Sequence, residues 1–117
     1  RAYRFGPTGV FRRTEDHSWV AERLKEGVLT RTEAERHSYR NVLTRALGLP
    51  EARFDLVEVR LAPGEGVLLV TDGLYGHVPE EEWRLGRDLQ ASLEAMVAEA
   101  LRRGGDDNVT AVALRVE

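Results

Sequence analysis

Val67-Leu68-Leu69-Val70-Thr71-Asp72-Gly73-Leu74 is the stretch on which the fold of this chain turns. Four consecutive apolar β-formers read as a strand buried on both faces, so other strands must flank it, and it delivers Asp72 at its C-terminal end. The glycine that follows carries no Cβ and leaves room for another backbone to approach closely. Just upstream, Ala62-Pro63-Gly64-Glu65-Gly66 is a turn. Before that turn, Phe54 to Leu61 alternates, with Val57, Val59 and Leu61 on one face and Glu58 and Arg60 on the other. This pattern predicts a half-buried strand that forms a hairpin with Val67 to Thr71.

Working outward towards Arg1, the turn formers Gly6-Pro7-Thr8-Gly9 lie between Arg1–Phe5 and Val10–Arg13, which predicts a β-hairpin. Ser18 is placed to cap a helix over Trp19–Glu26, with Trp19, Val20 and Leu24 on one face and Gly27 suited to the left-handed residue that ends it. Thr30 with Glu33 three residues on matches a capping box, opening a short polar helix through about His37. Asn41 to Leu47 fits either a strand or a helical turn, ended by Gly48 and Pro50. Downstream, Pro79 and three glutamates favour a short helical turn. Leu89, Leu93, Met96, Val97, Ala100 and Leu101 recur on one face of a long amphipathic helix closed by Gly104-Gly105, and Val109 to Val116 is a last β run. Strands, hairpins, helices and a final strand in this order give an α+β fold with a mainly antiparallel sheet.

The chain has 117 residues, 42% hydrophobic and 32% charged, enough for an ordinary core in one domain. It has no cysteine, which excludes a disulfide framework, a thiolate metal site and a cysteine nucleophile, and which fits a cytoplasmic location. The longest apolar run is far short of the roughly 20 residues of a membrane span, and the opening residues lack a charged-then-apolar leader pattern. A net charge of −3 with interleaved signs offers no electrostatic footprint for nucleic acid or an anionic membrane. Met96 is the single methionine and the chain opens on Arg1, so the expectation is a piece of a longer protein.

Two acidic spots join a strand to a loop: Thr71-Asp72-Gly73-Leu74, and Gly104-Gly105-Asp106-Asp107-Asn108 ahead of the last strand. If these strands neighbour each other in one sheet, their carboxylates converge, and hard oxygen donors of this kind favour Mg²⁺ or Mn²⁺ over Zn²⁺. Asp-Gly and Asp-Asn are also ordinary turn dipeptides. A calcium-loop reading of the second spot fails, because Thr110 and Ala111 stand where an oxygen ligand and the obligatory glycine belong. His17, His37 and His77 have no paired metal-binding spacing, and His77 draws interest only for lying five residues after Asp72. Serine-hydrolase elbows, phosphate-binding P-loops and dinucleotide fingerprints are all missing from the sequence. Trp19, Trp83 and Tyr75 read as core or interface anchors.

Taken in order, Arg1-Ala2-Tyr3-Arg4, Thr14-Glu15-Asp16-His17-Ser18, Arg40 to Gly48, Leu69-Val70-Thr71-Asp72-Gly73-Leu74 and Gly105-Asp106-Asp107-Asn108-Val109-Thr110 resemble the C-terminal half of the metal-dependent protein phosphatases, the type 2C serine/threonine family in its compact bacterial form. The resemblance implies two antiparallel sheets packed together with helices outside, and a binuclear Mn²⁺ or Mg²⁺ site at one edge. It places metal ligands at Asp72 and Asp107, and implies that metal-activated water hydrolyses phosphoserine and phosphothreonine in protein substrates without a covalent phosphoenzyme. The catalytic group is then the water, and no organic cofactor is implied. It also puts Arg40 to Gly48 near a mobile flap. The family's bridging aspartate segment Asp-Gly-Met-Gly-Gly, its early phosphate-binding arginine and the aspartate of Gly-Asp-Ser are all missing from this sequence. The expectation is therefore that residues 1–117 are the C-terminal portion of a single phosphatase domain whose N-terminal half is absent, inactive alone. The alternative is a non-catalytic interaction or regulatory module on the same fold, with self-association through exposed sheet edges.

Overall fold

A computed structural model describes residues 1–50 and 52–117. The chain divides into two compact units, Arg1–Thr14 with Glu58–Glu117, and Glu15–Val57.

The first unit is a four-stranded antiparallel sheet with helices. Strands β1 (Ala2–Gly6), β2 (Gly9–Arg12), β3 (Gly66–Val70) and β4 (Ala111–Arg115) lie in the order β2-β1-β3-β4. The β1–β2 hairpin forms around Gly6-Pro7-Thr8-Gly9 as the turn residues require, with Gly9 at φ 137°. β3 is central, paired with β1 on one side and β4 on the other, in the register Tyr3↔Leu68 and Leu68↔Ala113.

Period-2 alternation sends Tyr3, Phe5, Leu68 and Val70 to one face, where they meet Leu74, Val78, Trp83, Met96 and Ala100 in one core. Full burial of a side chain such as Leu68 or Phe5 stabilises the fold by about 1.5–3 kcal/mol relative to exposure. Trp83 donates its indole N–H to the Val78 carbonyl at 2.9 Å and packs edge-on against Tyr3, with ring centroids 4.8 Å apart. Burial, then the bond to Glu80 Oε1, pushes the Tyr3 hydroxyl above its usual pKa. Helix α4 (Leu89–Arg102), capped by Asp88, covers this face with Met96 and Ala100 buried and Leu89 and Leu93 partly so. Leu101, expected on the same apolar face, is instead 54% exposed. The opposite sheet face carries Phe11, Leu69, Val112 and Leu114, each about half exposed.

A larger departure from expectation concerns one predicted strand. Phe54 to Leu61 adopts no regular secondary structure and forms no hairpin with β3, and Phe54 and Leu56 are 79% and 89% exposed. The reason is hydrogen-bonding capacity: β1 and β4 already use both edges of β3. With the edges of β3 taken, β-propensity alone does not make this segment a strand. The short helical turn expected at Pro79 and its glutamates is a single 3₁₀ turn, Glu80–Glu82, with Pro79 as its N-cap.

The second unit carries α1 (Trp19–Lys25) and α2 (Arg31–Arg36). Ser18 Oγ accepts from the Ala21 amide, and Thr30 and Glu33 form the reciprocal capping box, so both helices start where the sequence signals predict. Val20, Ala34 and Ser18 are its buried residues. The ambiguous Asn41–Leu47 stretch resolves into turns with a single bridge, Ser18 to Leu43. Among the described residues no helix is long and apolar enough to cross a membrane.

Candidate metal-binding site

The antiparallel pairing of β3 with β4 sets Val70 against Ala111, so the chain leaving β3 and the chain entering β4 emerge at the same end of the sheet. Asp72 opens the one-turn helix α3 (Asp72–Tyr75), and Asp107 lies in the loop ahead of β4. The condition on which their convergence depended, neighbouring strands in one sheet, is therefore met.

Thr71 stitches the two segments together. Its amide donates to the Thr110 carbonyl at 3.0 Å, and its hydroxyl oxygen accepts from the Thr110 amide at 3.0 Å. The same hydroxyl lies 3.4 Å from the Asn108 carbonyl oxygen. Gly73 is buried against this loop, and a Cβ there would run into the Asn108 carbonyl oxygen. The close backbone approach read from the Asp-Gly pair is thus present, and its partner is the second acidic spot. Asp107 Oδ1 accepts from the Asn108 amide at 2.7 Å, which shapes the turn.

Asp72 and Asp107 are both exposed carboxylates. Hard oxygen donors on two joined turns suit Mg²⁺ or Mn²⁺, which commonly take one or two protein carboxylates and fill their remaining positions with water and phosphate oxygens. Among the described residues no group of three or more His, Cys, Asp or Glu is arranged to hold a metal. Asp72 and Asp107 are the carboxylates that these two joined turns could offer a cation.

Residues 17–117 match the family described as stage II sporulation protein E (SpoIIE). The chain belongs to this SpoIIE/PP2C-type phosphatase family. The SpoIIE/PP2C-type chain is 35% identical over 102 residues to the serine/threonine phosphatase stp of Listeria monocytogenes serotype 4b, covering 83% of this chain and 40% of that protein. The structure of the Streptococcus agalactiae serine/threonine phosphatase matches all of this chain and 50% of its own, with a TM-score of 0.87 at 27% identity. The catalytic domain of the serine/threonine protein phosphatase PstP, in complex with two manganese ions, matches with a TM-score of 0.76 at 27% identity, over 100% of this chain and 50% of that one. The chain thus spans about half the length of the relatives it matches, or somewhat less.

The histidines have separate fates. His37 packs against Trp19 at 4.8 Å between ring centroids, and its Nδ1 accepts from the Tyr39 amide at 3.0 Å, a structural role in the second unit. His17 is bound 2.9 Å from Asp55 Oδ2, whose other oxygen accepts from Arg45 at 3.0 Å. The bond to His17, then that to Arg45, holds the Asp55 carboxyl below its ordinary value. No spacing rule links residues 17, 45 and 55, so this cluster was invisible until the backbone brought them together. His77 does join the candidate site: its Nδ1 lies 3.2 Å from the Gly73 carbonyl oxygen and its Nε2 2.7 Å from Asp106 Oδ1.

Proposed function

We propose that this chain carries part of the metal centre of a serine/threonine protein phosphatase, with Asp72 and Asp107 as carboxylate ligands to Mn²⁺ or Mg²⁺ and phosphoserine or phosphothreonine proteins as substrates. The observation that carries this reading is the stitching of the Asp72 turn to the Asp107 loop through Thr71 and the buried Gly73. Membership of the SpoIIE/PP2C-type family and the likeness to a manganese-bound phosphatase domain support it.

Bound divalent cations would lower the pKa of a water and neutralise phosphoryl oxygens, chemistry that needs no cysteine nucleophile. The chain's own part is to hold and orient. β3 and β4 bring the two acidic turns to one end of the sheet, and the Thr71 bonds join them. The reading takes the 117 residues as the later portion of a single phosphatase domain, supported by the half-length match to solved phosphatases. With no third acidic or histidine ligand grouped among the described residues, the chain by itself is expected to lack turnover. Self-association belongs to the same proposal, supported by the outer edges of β2 and β4, which pair with no strand among the described residues, and by the half-exposed apolar sheet face.

The test is paramagnetic broadening of amide resonances by Mn²⁺. Broadening is expected first at residues 71–74 and 105–108, and Asp72→Asn or Asp107→Asn should each remove it while leaving the β-sheet resonances in place. Broadening centred elsewhere, or insensitive to both substitutions, refutes the assignment. Hydrolysis of p-nitrophenyl phosphate with Mn²⁺, by the chain and by a version extended N-terminally, checks the activity: turnover is expected in the extended version only.

A further inference from the structure

We propose that His77 is a positioning residue, a clasp that fastens the acidic loop 104–108 onto α3 and so holds Asp107 beside the Asp72 turn. Its consequence for metal binding rests on the phosphatase reading above, whereas the clasp itself is a property of the metal-free chain.

Three observations converge on this ring. Its two nitrogens reach the two halves of the candidate site at once: Nδ1 faces the Gly73 carbonyl at 3.2 Å, one residue from Asp72, and Nε2 faces Asp106 Oδ1 at 2.7 Å, one residue from Asp107. Both partners are oxygen atoms, and either ring nitrogen can donate to the one it faces. The ring is also seated, not splayed on the surface. Its side chain is only 21% exposed, and a Cβ on Gly104 would lie 2.8 Å from Nε2 and 2.9 Å from Cδ2, so the loop passes the imidazole at a distance only glycine allows. Finally, the backbone beneath it is tied down: the His77 amide donates to the Leu74 carbonyl at 3.1 Å, and the Arg103 guanidinium donates to the His77 carbonyl at 3.3 Å. The side chain therefore has a fixed base beneath an exposed acidic loop. A hydrogen bond from a fixed base removes freedom from that loop without burying Asp107, which stays exposed to a ligand.

Amide hydrogen exchange on the metal-free chain tests the clasp, using His77→Ala, Asp106→Ala and the double variant. Each single variant is expected to speed exchange at residues 106–108 by roughly fivefold, as for loss of one hydrogen bond. The double variant should be no faster than either single one, and amides of β3 and β4 should keep their protection. The Asp106 side chain is 78% exposed, so this variant reports on the loop even if His77→Ala perturbs folding. Mn²⁺ titration adds a second readout: His77→Ala should weaken the metal-induced broadening at residues 71–74 severalfold in apparent affinity, and Glu94→Gln on α4, whose hydrogen-bond partner is Gln90, should not. Less than a twofold change in exchange, multiplicative single effects, or an unaltered Mn²⁺ affinity overturns the proposal. If the unaltered chain shows no Mn²⁺ broadening, the metal reading falls and the exchange data alone decide the clasp.

Discussion

Replacing Gly73 by alanine adds one carbon at the point where the exit of β3 meets the acidic loop. Built on the existing backbone, that carbon presses on the Asn108 carbonyl oxygen, 2.9 Å from the Asn108 carbonyl carbon and 3.1 Å from Val109 Cγ2. Gly73 is not among the glycines with positive φ, so alanine meets no backbone strain and the cost is steric. The obstacle is main chain, and Thr71 ties that main chain in place through Thr110, so it cannot rotate aside as a side chain would. Overpacking costs about 1–3 kcal/mol and, against main chain that cannot yield, about 2–2.5 kcal/mol; less about 0.4–1 kcal/mol gained from a less flexible unfolded chain, the net loss is about 1–2 kcal/mol. With a urea m-value of about 2 kcal/mol per molar, the unfolding midpoint should fall by about 0.5–1 M. Gly86→Ala is the control, since its nearest neighbour, Ser92 Oγ, would lie at an ordinary 3.6 Å and the expected change is within about 0.5 kcal/mol. Urea unfolding followed by circular dichroism reads both. A Gly73→Ala midpoint equal to or above that of the unaltered chain would refute the close-approach argument.

Two further outcomes follow from the fold. Arg102, then Arg103, pull the Glu99 carboxyl from 4.5 down to about 2, so its ion pairs stabilise the folded chain fully above about pH 4.5 and progressively less as pH falls towards 2; the stability gap between the unaltered chain and Glu99→Gln should close across that window in acid-unfolding curves, and shrink in 1 M salt. Trp83→Phe removes a buried donor and leaves the Val78 carbonyl without its 2.9 Å partner, for a loss of about 1–3 kcal/mol measurable by thermal unfolding, and an unchanged melting temperature would show that water or backbone adjustment takes over.

How far the sequence could be read depends on the range of the interaction behind each feature. The caps at Ser18 and Thr30, the β1–β2 turn and the apolar run of β3 are decided within a few residues, and each appears where its local chemistry puts it. The pairing of Asp72 with the Asp107 loop was legible only conditionally, because spacing shows two acidic turns but not that β4 adds to β3. Phe54 to Leu61 is the opposite case: its alternation is strand-like, yet strand formation needs an open edge, and β1 and β4 occupy both edges of β3.

From the residues alone came the α+β class, the helix starts, the central place of Val67–Val70, the two acidic turns and the family. Only the tertiary structure decided which strands neighbour each other, that Gly73 lies under Asn108, and that His77, an unremarkable loop histidine in the sequence, spans Gly73 and Asp106. The physical reason is that hydrogen bonds between residues tens of positions apart depend on sheet order and register, and those are settled by the competition of all strands for a limited number of edges.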